Sequence, residues 1–306
     1  MSRSNFQSIT LVILILVSLV ITKEARIEAP LVKQPASFLE SVNATTFFTI
    51  PRVYLTKEET PIFSPLPTTE GVPTSFINFQ AQAVLVSDLD NNTDLISYNI
   101  NKRWPLASIT KLMTAVLAFE EIGGRKEILI SETAVAAEGD SGKLKVGELY
   151  KIDDLINLML ITSSNDAAAA LAEFYAFGSQ NFVKLMNKKA AELGMNQTVF
   201  FDPAGLSPLN QSTVNDIQKL MKYIEESHPE ILVSTRPTDF KGFKNINPFA
   251  GQANFLGGKT GYLEEAKENL ASLFSLNEQR ILIVVLGAEN RLKQTQEIIS
   301  YLSNKL

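Results

Sequence analysis

The sequence contains no cysteine, which excludes disulfides, thiolate zinc sites and a cysteine nucleophile together. It contains one histidine, His228, in the polar stretch Glu225-Glu226-Ser227-His228-Pro229. A Ser-His-Asp triad would have to use that residue, and a histidine at a polar helix end faces solvent far more often than it serves as a base. Any hydrolytic site here is therefore expected to use a base other than histidine. Positive charge is not in excess: 28 Lys and Arg against 33 Asp and Glu leave a net charge of −5, so nothing electrostatic points to nucleic acid. Also missing is an Ala-x-Ala cleavage signal after the apolar amino-terminal run, where the chain reads Val20-Ile21-Thr22.

What is present is an ordinary globular composition, 45% hydrophobic and 20% charged over 306 residues, enough to bury a substantial core. Ser4 to Thr22 carries no charge and follows Arg3. As a helix it would be about 28 Å long, close to the ~30 Å hydrocarbon core of a bilayer. The positive charge ahead of it predicts an amino terminus held inside and the remainder exported. Residues 1–22 are thus expected to be an uncleaved signal anchor, placing the rest on the extracytoplasmic side of the cell membrane. Residues 23–75 are rich in Pro, Thr and Ser, with Pro61, Pro65, Pro67 and Pro73 breaking regular structure. They read as a tether, with a short strand near Phe47–Leu55 laid on the domain. The folded unit is expected to span residues 76–306.

Within that unit, Ala81–Ser87 and Asp94–Asn99 are β-rich runs around the hairpin signal Asp88-Leu89-Asp90-Asn91-Asn92. Pro105 is suited to a helix start, and the apolar run after it continues to Phe119 before Gly123-Gly124 ends it. Glu127–Ser131 reads as a strand. Asp153–Leu160, Ala167–Phe177, Phe182–Leu193 and Thr213–Ile224 read as helices, and 201–206 as a loop. Strands are expected around Phe255–Tyr262 and Leu270–Leu276, a strand buried on both faces at Arg280–Leu286, and an amphipathic helix at Arg291–Leu302. Strands at both ends thus enclose a helical middle, and no internal repeat is visible.

Three short constellations carry chemistry. Ser108-Ile109-Thr110-Lys111 is the sole Ser-x-x-Lys in the chain, and three residues along a helix place both side chains on one face. Such a pair can act as nucleophile and base if burial keeps the amine partly neutral, and a helix amino terminus offers N–H groups to the anion that forms. Read alone, the pair equally fits a capping serine and a surface lysine. Ser163-Ser164-Asn165 falls between two helices, where Ser and Asn side chains could turn into a cleft to relay a proton and hold an amide. A serine there also suits an N-cap for the helix that follows, and Ser-x-Asn recurs at Ser41, Ser97, Ser179 and Ser275. Gly257-Gly258-Lys259-Thr260-Gly261 puts a cation and a hydroxyl on a strand whose glycines permit close approach, which suits a carboxylate. In isolation it also fits a glycine-rich hairpin with an exposed lysine.

Ser-x-x-Lys, Ser-x-Asn and Lys-Thr-Gly in this order form the signature of penicillin-binding proteins and serine β-lactamases. The segments 107–115, 160–173, Asp202-Pro203-Ala204-Gly205-Leu206, Ser212-Thr213 and Gly258-Lys259-Thr260-Gly261-Tyr262 resemble the serine-type D-alanyl-D-alanine carboxypeptidases, the low-molecular-mass penicillin-binding proteins. The resemblance runs from about Phe76 to the carboxyl terminus. It implies an α/β (α+β) β-lactamase/transpeptidase-like fold: an antiparallel five-stranded sheet flanked by helices, with a mostly helical subdomain inserted.

It implies that a peptidoglycan stem peptide ending in D-Ala-D-Ala, or a β-lactam, would acylate Ser108. Lys111 would take the serine proton and Ser163 would help pass one to the leaving D-alanine. Asn165 would hold the acyl side chain, and Lys259, Thr260 and Gly261 would bind the end of the substrate that carries the terminal carboxylate. Backbone N–H groups of Ser108 and Tyr262 would form the oxyanion hole. No metal or other cofactor is implied, and no nucleic acid partner. Two departures stand out: Glu264-Glu265-Ala266-Lys267-Glu268 where many relatives have Ala-Gly, and Ser164 where a glycine is common. The first puts substrate preference in question, not the reaction class. Two competing expectations are a β-lactamase, for which there is no convincing deacylation carboxylate of the Glu-x-x-x-Asn kind, and a catalytically silent wall-binding module, which would have no need of three complete motifs.

Overall fold

Between Ile281 and Leu286 the chain places six consecutive aliphatic residues, a run that suits a strand covered on both faces. They form the centre of a five-stranded sheet in the computed structural model, which describes residues 79–305 apart from 124–125, 140–142 and 176–177. The described residues belong to the unit running from Pro65 to Leu306. The expected anchor, the tether and the start of the folded unit near Phe76 lie outside them. Among the described residues no helix is long and apolar enough to cross a membrane.

The sheet is built from β1 (Ala83–Asp88), β2 (Thr93–Tyr98), β3 (Phe255–Leu263), β4 (Lys267–Leu276) and β5 (Gln279–Ala288). Its order is β2-β1-β5-β4-β3, and every neighbouring pair is antiparallel. Period-two alternation divides its side chains between two cores. Ala83, Leu85, Leu282, Val284 and Leu286 face one, while Val84, Val86, Ile281, Ile283 and Val285 face the other. Each buried aliphatic side chain contributes roughly 1.5–3 kcal/mol, so the central strands anchor both layers.

The second core is closed by the carboxy-terminal helix α7 (Arg291–Ser303) through Ile298 and Leu302. The first is closed by helices that enter between Tyr98 and Phe255: α1 (Lys111–Leu117), α2 (Ile152–Ile161), α3 (Asn165–Phe174), α4 (Ser179–Glu192), α5 (Val214–Ser227) and α6 (Pro229–Ser234). An antiparallel five-stranded sheet with a helical insertion is therefore the observed architecture.

Local boundaries differ where tertiary pairing overrides propensity. Pro105 does not open a helix: Trp104-Pro105 pairs as a two-residue strand with Gln211-Ser212. The chain then turns through Ala107, at φ +49°, into a 3-10 helix over Ala107–Thr110 before α1 begins at Lys111. After α1 the helix widens to π geometry over Ala118–Ile122 and stops at Gly123, at φ +78°. The strand expected at Glu127–Ser131 is Glu127–Leu129, paired with Leu149–Lys151. That partner, α6 and the hairpin of Asp239–Phe240 with Phe243–Lys244 are too short to carry a readable period.

The π turn carries Glu120 into a polar cluster that ties α1 to α4 and α5. Its carboxylate meets Lys189 Nζ at 2.7 Å and His228 Nε2 at 3.2 Å, and accepts from the Tyr223 hydroxyl. Burial alone would raise the Glu120 pKa, but the donors Lys189, Tyr223 and His228 outweigh it and hold the carboxyl below its usual range. A carboxyl depressed in the folded state contributes stability that is present above its unfolded pKa and lost as pH falls through the folded value. Glu120→Gln is therefore expected to lower the urea midpoint at pH 7, with the difference from wild type shrinking below about pH 4. A difference that stays constant down to pH 3 would mean that Glu120 contributes by packing alone.

Candidate active site

The turn before Ser108 is held by three hydrogen bonds, which is why it can keep the positive φ of Ala107. Leu106 N donates to Asn210 O at 2.8 Å. The buried Asn269 of β4 donates through Nδ2 to Pro105 O (2.8 Å) and Leu106 O (3.0 Å), while its Oδ1 accepts from Gly287 N of β5 at 2.8 Å. Glycines let two further segments press against this turn. A Cβ on Gly205 would lie 1.9 Å from Ala107 O, and one on Gly261 would lie 2.8 Å from Leu106 O and 3.1 Å from Ser108 N. Neither position has room for a side chain.

Lys111, the first residue of α1, is completely buried. Its Nζ donates to Ser108 Oγ at 2.9 Å, Asn165 Oδ1 at 2.7 Å and Ala204 O at 2.6 Å. A buried lysine amine is tolerable only when its hydrogen-bonding groups are satisfied, and these partners come from three separate segments. Asn165 is in turn fixed by Nδ2 donating to Glu138 O at 2.8 Å. Ala204 is presented by a loop wound around one carboxylate. Asp202 accepts from the backbone N–H groups of Ala204 (2.8 Å), Gly205 (2.6 Å), Leu206 (3.1 Å) and Ser207 (2.8 Å).

The second constellation divides its labour. Ser164 is the N-cap of α3, accepting from Ala167 N at 3.0 Å. Ser163, at φ +62°, turns its hydroxyl instead toward Lys259, whose Nζ donates to Ser163 Oγ at 3.0 Å and to Thr260 O at 2.9 Å. Lys259 is 1% exposed, so the exposed hairpin lysine that the segment could have been is not what it is. The glycines ahead of it serve the fold: a Cβ on Gly257 would meet Leu232 O of α6 at 2.4 Å, and one on Gly258 would meet Ser272 Oγ of β4 at 2.3 Å. It is the fold's own backbone and side chains that approach those two closely, not a ligand. Tyr262, just past the third motif, is 63% exposed.

Ser108, Lys111 and Asn165 are thus joined in one hydrogen-bonded network, and Ser163, Lys259 and Thr260 in a second, while Gly261 abuts the backbone of Ser108. His228 is bonded to Glu120 and Glu230, not to these residues. The parts that motif spacing does not reveal are Asp202, the Ala204 carbonyl, Glu138 and Asn269. Each acts through backbone or through a partner remote in sequence.

The sequence profile of the D-alanyl-D-alanine carboxypeptidase family matches residues 68–290. The chain belongs to that family. It is a serine peptidase, and the three motifs stand inside the matched region. Among curated relatives, the D-alanyl-D-alanine endopeptidase of Pseudomonas aeruginosa is 35% identical over 220 residues, covering 67% of this chain and 71% of the relative. D-alanyl-D-alanine carboxypeptidase DacF of Bacillus subtilis is 29% identical over 248 residues, covering 76% of this chain and 64% of the relative. Among solved structures, penicillin-binding protein D2 of Listeria monocytogenes in its ampicillin-bound form superposes with a TM-score of 0.65 at 28% identity, covering 73% of this chain and 97% of that one. The fold is shared as well with D-alanyl-D-alanine carboxypeptidase DacD of Francisella tularensis, with a TM-score of 0.69 at 24% identity over 74% of this chain and 70% of that one.

Proposed function

We propose that the site removes the terminal D-alanine from peptidoglycan stem peptides through an ester on Ser108. The observation that carries this reading is the buried Lys111 Nζ, 2.9 Å from Ser108 Oγ. Lys111 acts as the neutral amine, its two N–H groups on Asn165 Oδ1 and Ala204 O and its lone pair toward Ser108 Oγ, and it accepts the hydroxyl proton as Oγ bonds to the carbonyl carbon of the penultimate D-alanine. The negative charge that develops on the carbonyl oxygen is met by the N–H groups of Ser108 and Tyr262, each worth a few kcal/mol in such a role. Ser163, held by Lys259, passes a proton to the departing amine as the C–N bond breaks, and water then hydrolyses the ester. Asn165 holds both Lys111 and the acyl side chain. β-Lactams occupy the same site by the same acylation, a reading supported by the ampicillin- and cefotaxime-bound forms of the Listeria protein. The apolar segment 4–22 tethers this domain to the outer side of the membrane, so fractionation should find the full-length chain in membranes; a soluble mature form beginning near Lys23 would refute this.

Penicillin is expected to add once, at Ser108, as read by mass spectrometry of the intact chain and its peptides. Ser108→Ala should abolish the adduct without unfolding the protein. Lys111→Arg should slow acylation at least about a hundredfold, because arginine stays charged and cannot accept the proton. An adduct on another serine, or a near-normal rate with arginine, would place the chemistry elsewhere.

A second reading is favoured by the relatives named D-alanyl-D-alanine endopeptidase, at 35%, 30% and 31% identity. In that reading the bond cleaved is internal, with further peptide beyond it instead of a single terminal D-alanine. The two readings separate on Lys259 and Thr260. If they recognise a terminal carboxylate, a charge-assisted contact of ~1.5–3 kcal/mol corresponds to roughly ten- to a hundredfold in kcat/KM. Amidating a peptide that ends in D-Ala-D-Ala should then cost about that factor, and Lys259→Ala should slow the free acid more than the amide, which loses only the hold of Lys259 on Ser163. Equal slowing of both substrates would leave Lys259 its bond to Ser163 alone and remove its role as a carboxylate reader. Wild-type preference for the cross-linked substrate would select the endopeptidase.

A further inference from the structure

The peptide that joins Gly261 to Tyr262 has two ends. Its N–H is the Tyr262 donor assigned above to the oxyanion hole. Its oxygen, Gly261 O, accepts from Arg291 Nη1 at 2.9 Å. Arg291 is the first residue of α7, a helix outside the three motifs, whose start is fixed by Asn290 Oδ1 accepting from Lys293 N at 2.8 Å. Glu268 of β4 accepts from Arg291 N at 2.9 Å and lies 3.9 Å from its Nε. Where Glu268 sits, the β4–β5 ladder shifts register, between Glu268 and Leu270, next to the residue that pairs with Gly261. The Arg291 side chain is only 18% exposed.

We propose that Arg291 is a positioning residue for the reaction: its guanidinium strengthens and aims the Tyr262 N–H by holding the opposite end of the same peptide. The inference rests on the reading of Ser108 and the oxyanion hole given above. An amide is one conjugated group, so a donor on its oxygen draws electron density toward that oxygen and makes its N–H a better donor, and such chains strengthen one another. A charged donor does this more strongly than a neutral one. Burial keeps water from screening the effect, and although desolvation pulls the Arg291 pKa down from its ordinary value, with Glu268 opposing, a guanidinium remains charged at neutral pH. Glu268 orients the guanidinium and offsets part of its charge, but the atom nearest the peptide oxygen is the donor Nη1. Gly261 itself is wedged against Ser108 N, so the polarised peptide and the second oxyanion donor are adjacent. The device acts on charge that develops in the transition state, and so on acylation rate rather than on ground-state binding.

The test uses the full-length chain with ampicillin carrying a 13C-labelled β-lactam carbonyl, and separates the acylation rate constant from the preceding dissociation constant. It also records the infrared stretch of the acyl carbonyl on Ser108. Arg291→Met is expected to lower the acylation rate about tenfold with an unchanged dissociation constant, and to move the acyl carbonyl to higher wavenumber as its hydrogen bonds weaken. Arg291→Lys should recover most of the rate and of the frequency. A folded Met variant that acylates at the wild-type rate would overturn the proposal. So would one that loses rate at an unchanged carbonyl frequency, since that would make Arg291 a strut for α7. Should the Met variant not fold, Arg291→Gln keeps a donor without charge; it must be slower than Arg291→Lys, and equal rates would overturn the proposal. Failure of the wild type to acylate at Ser108 would remove the underlying reading, and it would show before any variant was made.

Discussion

A lysine with no exposure to solvent is the constraint on which the site depends. A lysine amine in an apolar interior must find partners for its N–H groups or carry a desolvation cost. The acceptors of Lys111 are a hydroxyl three residues away, a side-chain amide at the start of α3 and a carbonyl in the Asp202 loop. Satisfying one amine therefore forces three parts of the chain into register around Ser108. Removing any of them would leave a buried polar group short of a partner, so the packing requirement and the chemical requirement coincide.

The second constraint is closeness of backbones. The turn that presents Ser108 is pressed between Gly205 and Gly261 and tied from the sheet by Asn269. A strained φ at Ala107 persists because its surroundings over-determine it. Strand β3 lies at the sheet edge, with one side free of ladder partners among the described residues, and brings Lys259, Thr260 and Tyr262 to that turn. A rigid sheet buried on both faces is what allows an edge strand to serve as a fixed wall.

Much of the fold was legible because its signals are local or periodic. The apolar run 281–286 and the hydrophobic spacing of 213–224 and 291–302 show directly as β5, α5 and α7. The five-stranded antiparallel arrangement was legible only through likeness to a known family. Short pieces were not: Leu149–Lys151 and Pro229–Ser234 hold too few residues for a period to emerge. Pro105 misleads because its preference for a helix start is weaker than the pairing that Gln211 offers.

By itself, the sequence determined the chemical inventory. With no cysteine and a single histidine in a polar stretch, the base had to be sought elsewhere, and the order of Ser108, Lys111, Ser163, Asn165, Lys259 and Thr260 named the candidates. It could not say that Lys111 and Lys259 are buried, since surface and buried lysines read alike in a string of letters. Tertiary structure decided that Ser163 meets Lys259 while Ser164 caps α3, because a positive φ at Ser163 and an N-cap bond at Ser164 point the two hydroxyls apart. It alone decided the roles of Asp202, Asn269 and Arg291 as well. Those residues act on backbone groups up to 164 positions away, and a backbone carbonyl leaves no mark in the sequence to show which side chain will hold it.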